Sequence, residues 1–505
     1  MESRSKSFYL LVAGLCLCAS SATAQSNSID PRTALPAACI APSAQTGGLE
    51  FTPDSSYLQS NSPGNEAFAA IDGERMKGLV EQQAEIARRY RQAGNQYWGR
   101  IIGTSADTET ADWMMGQLRQ SGVENVRLDS IELPPQWLPQ SWKLTVESDS
   151  KVVELTSAWP AYGSVGTSQA GAELELIDVG LGMATDFQGR NVSGKAVVLH
   201  SIATSSTVFN SVRRIGALER AEEAGAAAIF IVLELPGNLQ TAFYDVGTSV
   251  PTFSIGSEDG ELLQRLLTEA GMTEPVEIDV QMEVHFLDGL STSSVRGEVL
   301  AASPDVERII IVAHRDAYFE GAADNASGVA TALELMRYFA QIPKAERKRT
   351  VEIIGTPGHH NIARTGFSWL YDNRESILDN AVLLINAEHT AHALIDRFGD
   401  DLCTTNAIGP FSWQINGSNK LAETTLQTFD EFGIPRWAET GGPMGEIRTI
   451  ADLVPSIVLM HAGVLLHTNI ETTEAIPAAS LAATTRAYAK IIEQVNSMSL
   501  SELTQ

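Results

Sequence analysis

The sequence predicts an α/β fold, a mostly parallel mixed sheet flanked by helices and interrupted by a β-rich inserted domain. Three observations point there. From about residue 295 strand-like and helical runs alternate: strand 308–314, helix 326–341, strand 349–355, helix 363–372 and strand 382–388, then strand 456–460 and a closing helix over 478–495. Parallel strands joined by crossover helices read this way. Between about 145 and 290 the texture changes to short strand-like runs (173–179, 195–199, 228–233) separated by Gly, Ser and Thr. Finally, of nine histidines, seven lie beyond position 300, most of them just after the expected strands.

The chain begins with Arg4 and Lys6, an apolar run over 8–18, and Ala22-Thr23-Ala24. That order reads as an export signal over 1–24, cleaved after Ala24. Its apolar run is shorter than a spanning helix requires, and no other stretch is long enough, so the mature chain is expected to be exported, periplasmic or extracellular, without a membrane span. Leu15 and Leu17 stand before Cys16 and Cys18, where a lipoprotein signal would carry a small residue. Residues 25–75, rich in Ser, Pro, Ala and Asn, read as an extended lead-in. Helical patterns over 76–96 and 110–122 and a strand-like run over 126–133 open the main domain, which is expected to span 76–144 and 291–497 around an insert at 145–290. Pro134, Pro135 and Pro139 are expected to break any regular element. The insert holds only His200 and His285 and reads as having no catalytic equipment of its own.

At 505 residues the chain exceeds one ordinary core, and 44% hydrophobic with 19% charged residues describes a folded globular protein. A formal net charge of −27 excludes nucleic acid as a partner, since nothing would neutralise phosphates. Export would leave Cys39 and Cys403, which could form one disulfide or stay apart. With no paired-cysteine motif, any metal must be held by histidine and carboxylate.

Residues 308–328 carry the centre of the argument. An apolar run, 309–313, is followed by His314 and Asp316, a turn-rich loop, Asp324, and Asn325 as the expected cap of the next helix. Gly358-His359-His360-Asn361 follows the second strand, Asn386-Ala387-Glu388-His389 the third, and His461, Gly463 and His467 the last. Open α/β sheets place their chemistry outside the carboxyl ends of the strands, so these residues can share one site. Histidine nitrogens and carboxylate oxygens are what Zn²⁺ accepts when thiolates are absent. A carboxylate such as Asp324 could bridge two ions, and two close metals suit amide hydrolysis. One histidine alone is more often structural; the joint pattern at four strand ends is not explained that way. Neither a Gly-x-Ser-x-Gly elbow nor a phosphate-binding glycine loop is present.

These pieces resemble the exopeptidase family with two co-catalytic zinc ions, which includes secreted aminopeptidases and glutamate carboxypeptidase. The resemblance lies in HRD with the later GAADNASG, in RTVEIIG and its turn, in LLINAE and in LLHT. The stretches DFQGRNVSGKAVVL, RAEEAGAAAIFIV and VPTFSIGSEDG make 145–290 similar to a protease-associated domain. The resemblance implies a zinc exopeptidase-like fold with two zinc ions, acting on a peptide or small amide as monomer or homodimer. By position, His314 would bind one zinc, Asp324 would bridge both, Glu388 would complete the first site, and His360 and His467 would bind the second. Asp316 would orient His314 without touching metal.

One departure matters. The family carries two adjacent glutamates after the second strand, a general base and a ligand; here His359 and His360 stand there. Imidazole is a good zinc ligand, so His360 can replace the second glutamate, but the site loses a negative charge and its second metal should bind more weakly. His359 could act as the base, bind metal itself, or mark lost peptidase chemistry, leaving a binding protein on a retired peptidase scaffold. Glu320 and Glu446, the other acids in nearby loops, read as surface or substrate-contact residues.

Overall fold

Strand Arg308–His314 alternates between two cores: Ile309, Ile311 and Ala313 join one apolar cluster, Ile310 and Val312 the other. A strand covered on both faces needs a continuous apolar run, which is why its sequence does not alternate with polar residues. The computed structural model describes residues 36–40 and 65–504, apart from 149–150, 202–210, 213–214, 244–246, 272–273, 304–305, 362–364, 399–400 and 462. The expected leader at 1–24, and most of the lead-in, lie outside the described residues.

This strand is central in an eight-stranded mixed sheet. Thr350–Thr356 and Ala381–Ala387 flank it in parallel, and Ser456–Met460 continues the parallel run beyond Ala381–Ala387. Ser291–Val299 and Glu124–Glu132 add antiparallel strands at one edge; Phe411–Asn416 and Arg436–Glu439 complete the other. One face is covered by helices Gly73–Gln92, Ser105–Gln120, Gly328–Gln341 and Ala478–Val495. Thr365–Asp372 and Arg374–Ile377 supply Leu370 and Ile377 to the opposite core. Asp72 starts the first of these helices, its carboxylate accepting the backbone N–H of Glu74 at 2.9 Å.

A second eight-stranded sheet runs from Lys151–Glu154 through Gln136–Ser148, Glu277–Leu287, Ala172–Asp178, Ala196–Ser201, Ala228–Leu233 and Thr252–Ile255 to Trp159–Pro160. Its centre is parallel, like that of the first sheet. The expected break holds at Pro134 and Pro135, which separate strands Glu124–Glu132 and Gln136–Ser148, and is corrected at Pro139. Gln136–Ser148 is one long strand that passes straight through Pro139, because the register against Glu277–Leu287 slips by a residue there. An extra residue in the strand accommodates a proline that cannot donate to the ladder.

The sheets meet through aromatic residues. Tyr97 stacks on Trp159 at 5.1 Å and meets Trp137, Trp142 and Tyr318 edge-on. Tyr318 belongs to the loop after His314, so this cluster anchors the site loop to the second sheet. Buried Arg100 holds the same loop, donating to the carbonyls of Arg315, Glu320 and Gly321. A third, three-stranded sheet joins Pro36–Ile40 to Asp401–Ile408 and Ala393–Phe398, so the lead-in contributes a strand. Cys403 is disulfide-bonded, and Cys39 lies opposite it in the register.

Candidate metal centre

The ends of the parallel strands deliver their polar residues to one buried place. Asp324 sits at its middle, 2% exposed. Its Oδ1 lies 3.1 Å from His314 Nε2 and 3.0 Å from His389 Nε2. Its Oδ2 lies 3.0 Å from His360 Nε2 and 2.7 Å from His467 Nε2. One carboxylate thus faces four imidazoles, two on each oxygen.

The rings of His314, His360 and His389 have a partner behind them. Asp316 reaches both halves, with Oδ1 3.4 Å from His314 Nδ1 and Oδ2 3.1 Å from His360 Nδ1. It also accepts the backbone N–H groups of His359 at 3.0 Å and His360 at 2.9 Å, which fixes the histidine turn. Tyr318 donates its hydroxyl to the His360 carbonyl at 2.8 Å. His389 Nδ1 bonds the His461 carbonyl at 2.7 Å. Glu471 accepts the N–H groups of Ala323 and Asp324 on Oε1 and that of His467 on Oε2, tying the Asp324 loop to the His467 loop.

Asn325 corrects an expectation. It does not cap the helix, whose N-cap is Ser327. Its side-chain amide instead donates to the carbonyls of His314 and Ala387 and accepts the His389 N–H at 3.0 Å. An amide offers both donors and an acceptor, so one side chain can lock three strand-end residues where a cap would use only its oxygen.

Among the described residues three groups have donor atoms within 4.8 Å of one another: His314–Glu388–His389, His314–Asp316–His360 and Asp324–His360–His467. Glu388 Oε2 is itself anchored by Asn386 Nδ2 at 3.1 Å and by the Glu446 N–H at 2.7 Å. Gly445 permits that approach, since a Cβ there would come within 2.2 Å of Asn386 Nδ2. His359 belongs to none of these groups. It stacks on His314 with ring centroids 4.2 Å apart, and its Nδ1 lies 2.8 Å from Glu446 Oε2.

Glu446 is therefore not the surface or substrate-contact residue its loop position suggests. It is fully buried, bonded to His359 on one oxygen and to the Thr356 hydroxyl on the other. Gly366 passes so close that a Cβ there would lie 2.0 Å from Glu446 Oε1. Glu320 is buried as well and pairs with Arg88 at 3.0 Å. Of the residues in the centre, His389 and Glu471 have no role assigned from sequence, and Glu446 only the surface or substrate-contact one. The signal for His389 was its place directly after Glu388 at a strand end; Glu446 and Glu471 sit in loops with no such marker.

Electrostatics follow burial and the crowding of carboxylates. Burial opposes charge on His360, but Asp324 and Asp316 outweigh it and raise its pKa to about 9. His314 is raised for the same reason, burial being overcome by Asp316 and Asp324, and His389 by Asp324. Burial lowers His467 to about 4 despite its bond to Asp324. Burial together with the neighbouring His314 and His360 rings holds His359 well below the ordinary histidine value. Glu446 is pushed up to about 8, chiefly by burial.

The donor set fits a divalent metal. His314 Nε2, His389 Nε2 and Asp324 Oδ1 are buried without a hydrogen bond, though they aim at one shared place. Burying unbonded polar atoms is costly unless something else satisfies them, and a cation does. A cavity of about 320 Å³ lies nearby, lined by Tyr90, Trp137, Tyr162 and Tyr318 among others. Of the site residues it touches Asp316 and His360.

The fold is a mixed α/β one similar to that of zinc aminopeptidases. Residues 295–388 match the family model of peptidase family M28. The chain is 22% identical over 265 residues to carboxypeptidase Q of Rattus norvegicus, covering 50% of this chain and 54% of that protein. It is 25% identical over 260 residues to aminopeptidase YwaD of Bacillus subtilis (strain 168), covering 50% of each. Over 102 residues it is 32% identical to the minor extracellular protease Vpr of the same organism, 20% of this chain and 11% of that one. The chain thus spans about half the length of the first two relatives and a small part of the third. Among solved structures it superposes on BSAP, a zinc aminopeptidase from Bacillus subtilis, with a TM-score of 0.62 at 17% identity, covering 86% of this chain and 98% of that one. A peptidase M28 precursor from Shewanella amazonensis SB2B gives a TM-score of 0.62 at 17% identity, with 86% and 99% covered. At such identity these structures establish the shared mixed α/β fold.

Proposed function

We propose that the chain is an exported, zinc-dependent exopeptidase of aminopeptidase type, cleaving peptides or small amides with two zinc ions. The observation that carries it is Asp324 with two imidazole nitrogens facing each of its oxygens at a strand-end crevice. His314, Asp324, Glu388, His360 and His467 would hold the metal. When bound, zinc polarises the scissile carbonyl and lowers the pKa of water. Asp316 keeps Nε2 of His314 and of His360 turned inward by holding both Nδ1 atoms. His359 serves as the general base: when the proton shared between its Nδ1 and Glu446 Oε2 rests on Nδ1, Nε2 is free to accept the proton of the attacking water. The amine leaving group then takes the proton back from Nε2. The buried Glu446 keeps the ring oriented, a task the usual glutamate base would not need.

The unit at 145–290 is proposed to be a protease-associated domain; the strands of the second sheet begin earlier, at Gln136, and end at Leu287. Among the described residues no helix is long and apolar enough to cross a membrane. The test is zinc content by elemental mass spectrometry alongside hydrolysis of aminoacyl p-nitroanilides and dipeptides. Activity abolished by 1,10-phenanthroline and restored by zinc is expected. Bound zinc without turnover of any peptide would instead favour the second reading, a binding protein on a retired scaffold, which His359 at the base position keeps in play. No bound zinc would sink the metal assignment itself.

A further inference from the structure

We propose that His389 is a metal donor in its own right, making the first metal position a four-donor site of His314, His389, Asp324 and Glu388. The second is then a three-donor site of His360, His467 and Asp324. This rests on the metal reading above and adds to it a ligand that neither the family motif nor the sequence assigns.

Three independent features carry it. His389 Nε2 stands 3.0 Å from Asp324 Oδ1, matching His314 Nε2 at 3.1 Å from the same oxygen, just as His360 and His467 share the other oxygen. Its Nδ1 donates to the His461 carbonyl at 2.7 Å. A carbonyl only accepts, so Nδ1 carries a proton, and in the neutral ring Nε2 presents its lone pair to the centre, the tautomer a metal ligand requires. That Nε2 is buried with no hydrogen bond of its own.

The backbone is committed as well. His389 has φ +48°, in the left-handed region that non-glycine residues rarely adopt, and His467 has φ +60°. Such a pose is unfavourable for a residue with a Cβ and persists only where the surroundings impose it. The imposing contact is visible: the His389 N–H bonds Asn325 Oδ1, and Asn325 also holds the His314 and Ala387 carbonyls. The residue next to the bridging Asp324 thus sets the pose of both imidazoles on the Oδ1 side. Glu388, by contrast, has Oε2 engaged by two N–H donors before any metal arrives.

Four protein donors close a tetrahedral site, whereas three leave a position open. The first metal is therefore expected to be tight and inert, and the second weaker and exchangeable. Nitrogen-rich donors of this kind select Zn²⁺, Co²⁺, Ni²⁺ or Cu²⁺ over Mg²⁺ and Mn²⁺.

The test uses the full chain loaded with Co²⁺. In its proton NMR spectrum each ligating imidazole contributes one strongly shifted, exchangeable Nδ1–H signal. Four signals are expected; three would overturn the role of His389 while leaving the metal reading intact. No bound Co²⁺ at all would overturn both. In parallel, His389→Gln, assayed by competition with a chromogenic chelator, should weaken the tighter zinc by more than the ~10- to 100-fold that outer partners cost. Unchanged affinity in His389→Gln, with loss of a metal in Glu388→Gln instead, would return the position to the glutamate.

Discussion

Both large sheets place histidine and carboxylate at the carboxyl ends of parallel strands, and only one makes a candidate metal centre. In the second sheet His200 lies between Asp178 at 3.0 Å and Glu234 at 2.7 Å, one imidazole between two acids, each ring nitrogen bonded. Its side chain is 18% exposed, and the group reads as a satisfied ion pair. In the first sheet the ratio is inverted around Asp324, whose carboxylate faces four imidazoles, all buried, with His314 Nε2, His389 Nε2 and Asp324 Oδ1 left without hydrogen bonds. Strand-end position is therefore not enough. What separates the two clusters is the excess of imidazole around one carboxylate and the buried ring nitrogens left without a hydrogen bond.

The comparison breaks most sharply at Asp324. Asp324→Ala should abolish metal binding and lower kcat/KM by several kcal/mol, about 10³-fold or more, read by zinc content and dipeptide hydrolysis. Retained activity would mean the imidazole cluster is no more functional than the His200 pair. Next in size is His359→Ala, expected to lower kcat about 10²- to 10⁴-fold with zinc content unchanged. Loss of a zinc in that variant would instead make His359 a ligand.

Smaller effects sharpen the contrast. Asp316→Asn, which weakens the hold on His314 and His360, should cost about 10- to 100-fold in zinc affinity, measured by chelator competition, without unfolding the chain. His200→Gln should leave metal and activity untouched and act only on stability. The Asp178 and Glu234 partners raise His200 to about 9 from its ordinary 6.5, against the opposing effect of burial. A raised histidine contributes stability that is fully present below about pH 6.5 and disappears as pH climbs through 9. Urea unfolding of wild type and His200→Gln should thus differ by at most about 1 kcal/mol at pH 6, the group being partly exposed, and should coincide near pH 10. A difference that grows with pH would reverse the assignment.

Much of the fold was legible because its determinants are local. The apolar runs at 308–314 and 349–355 are strands Arg308–His314 and Thr350–Thr356, within a residue of expectation. Strands buried on both faces are uniform in composition and stand out. The stretch between Ala387 and Ser456 was not legible: strands Ala393–Phe398, Asp401–Ile408, Phe411–Asn416 and Arg436–Glu439 and helix Asn419–Glu431 had no clear pattern. Several are short, edge or partly exposed elements, where tertiary pairing outweighs intrinsic preference. Pro139 misled because a local rule, that proline ends a strand, yields to a register slip set by the partner strand.

By itself the sequence determined which residue types arrive near which strand ends: His314, Asp324, the His359-His360 pair, Glu388 with His389, and His461 with His467 follow from period and spacing, and the family resemblance singled out the candidate ligands among them. It could not determine which atoms meet. That His389 turns inward at a positive φ, that buried Glu446 backs His359, and that Glu471 clasps two loops depend on contacts between residues tens to more than a hundred positions apart. Such contacts carry no periodic signature, since loop conformation is set by the groups the loop packs against, and only the tertiary structure decides them.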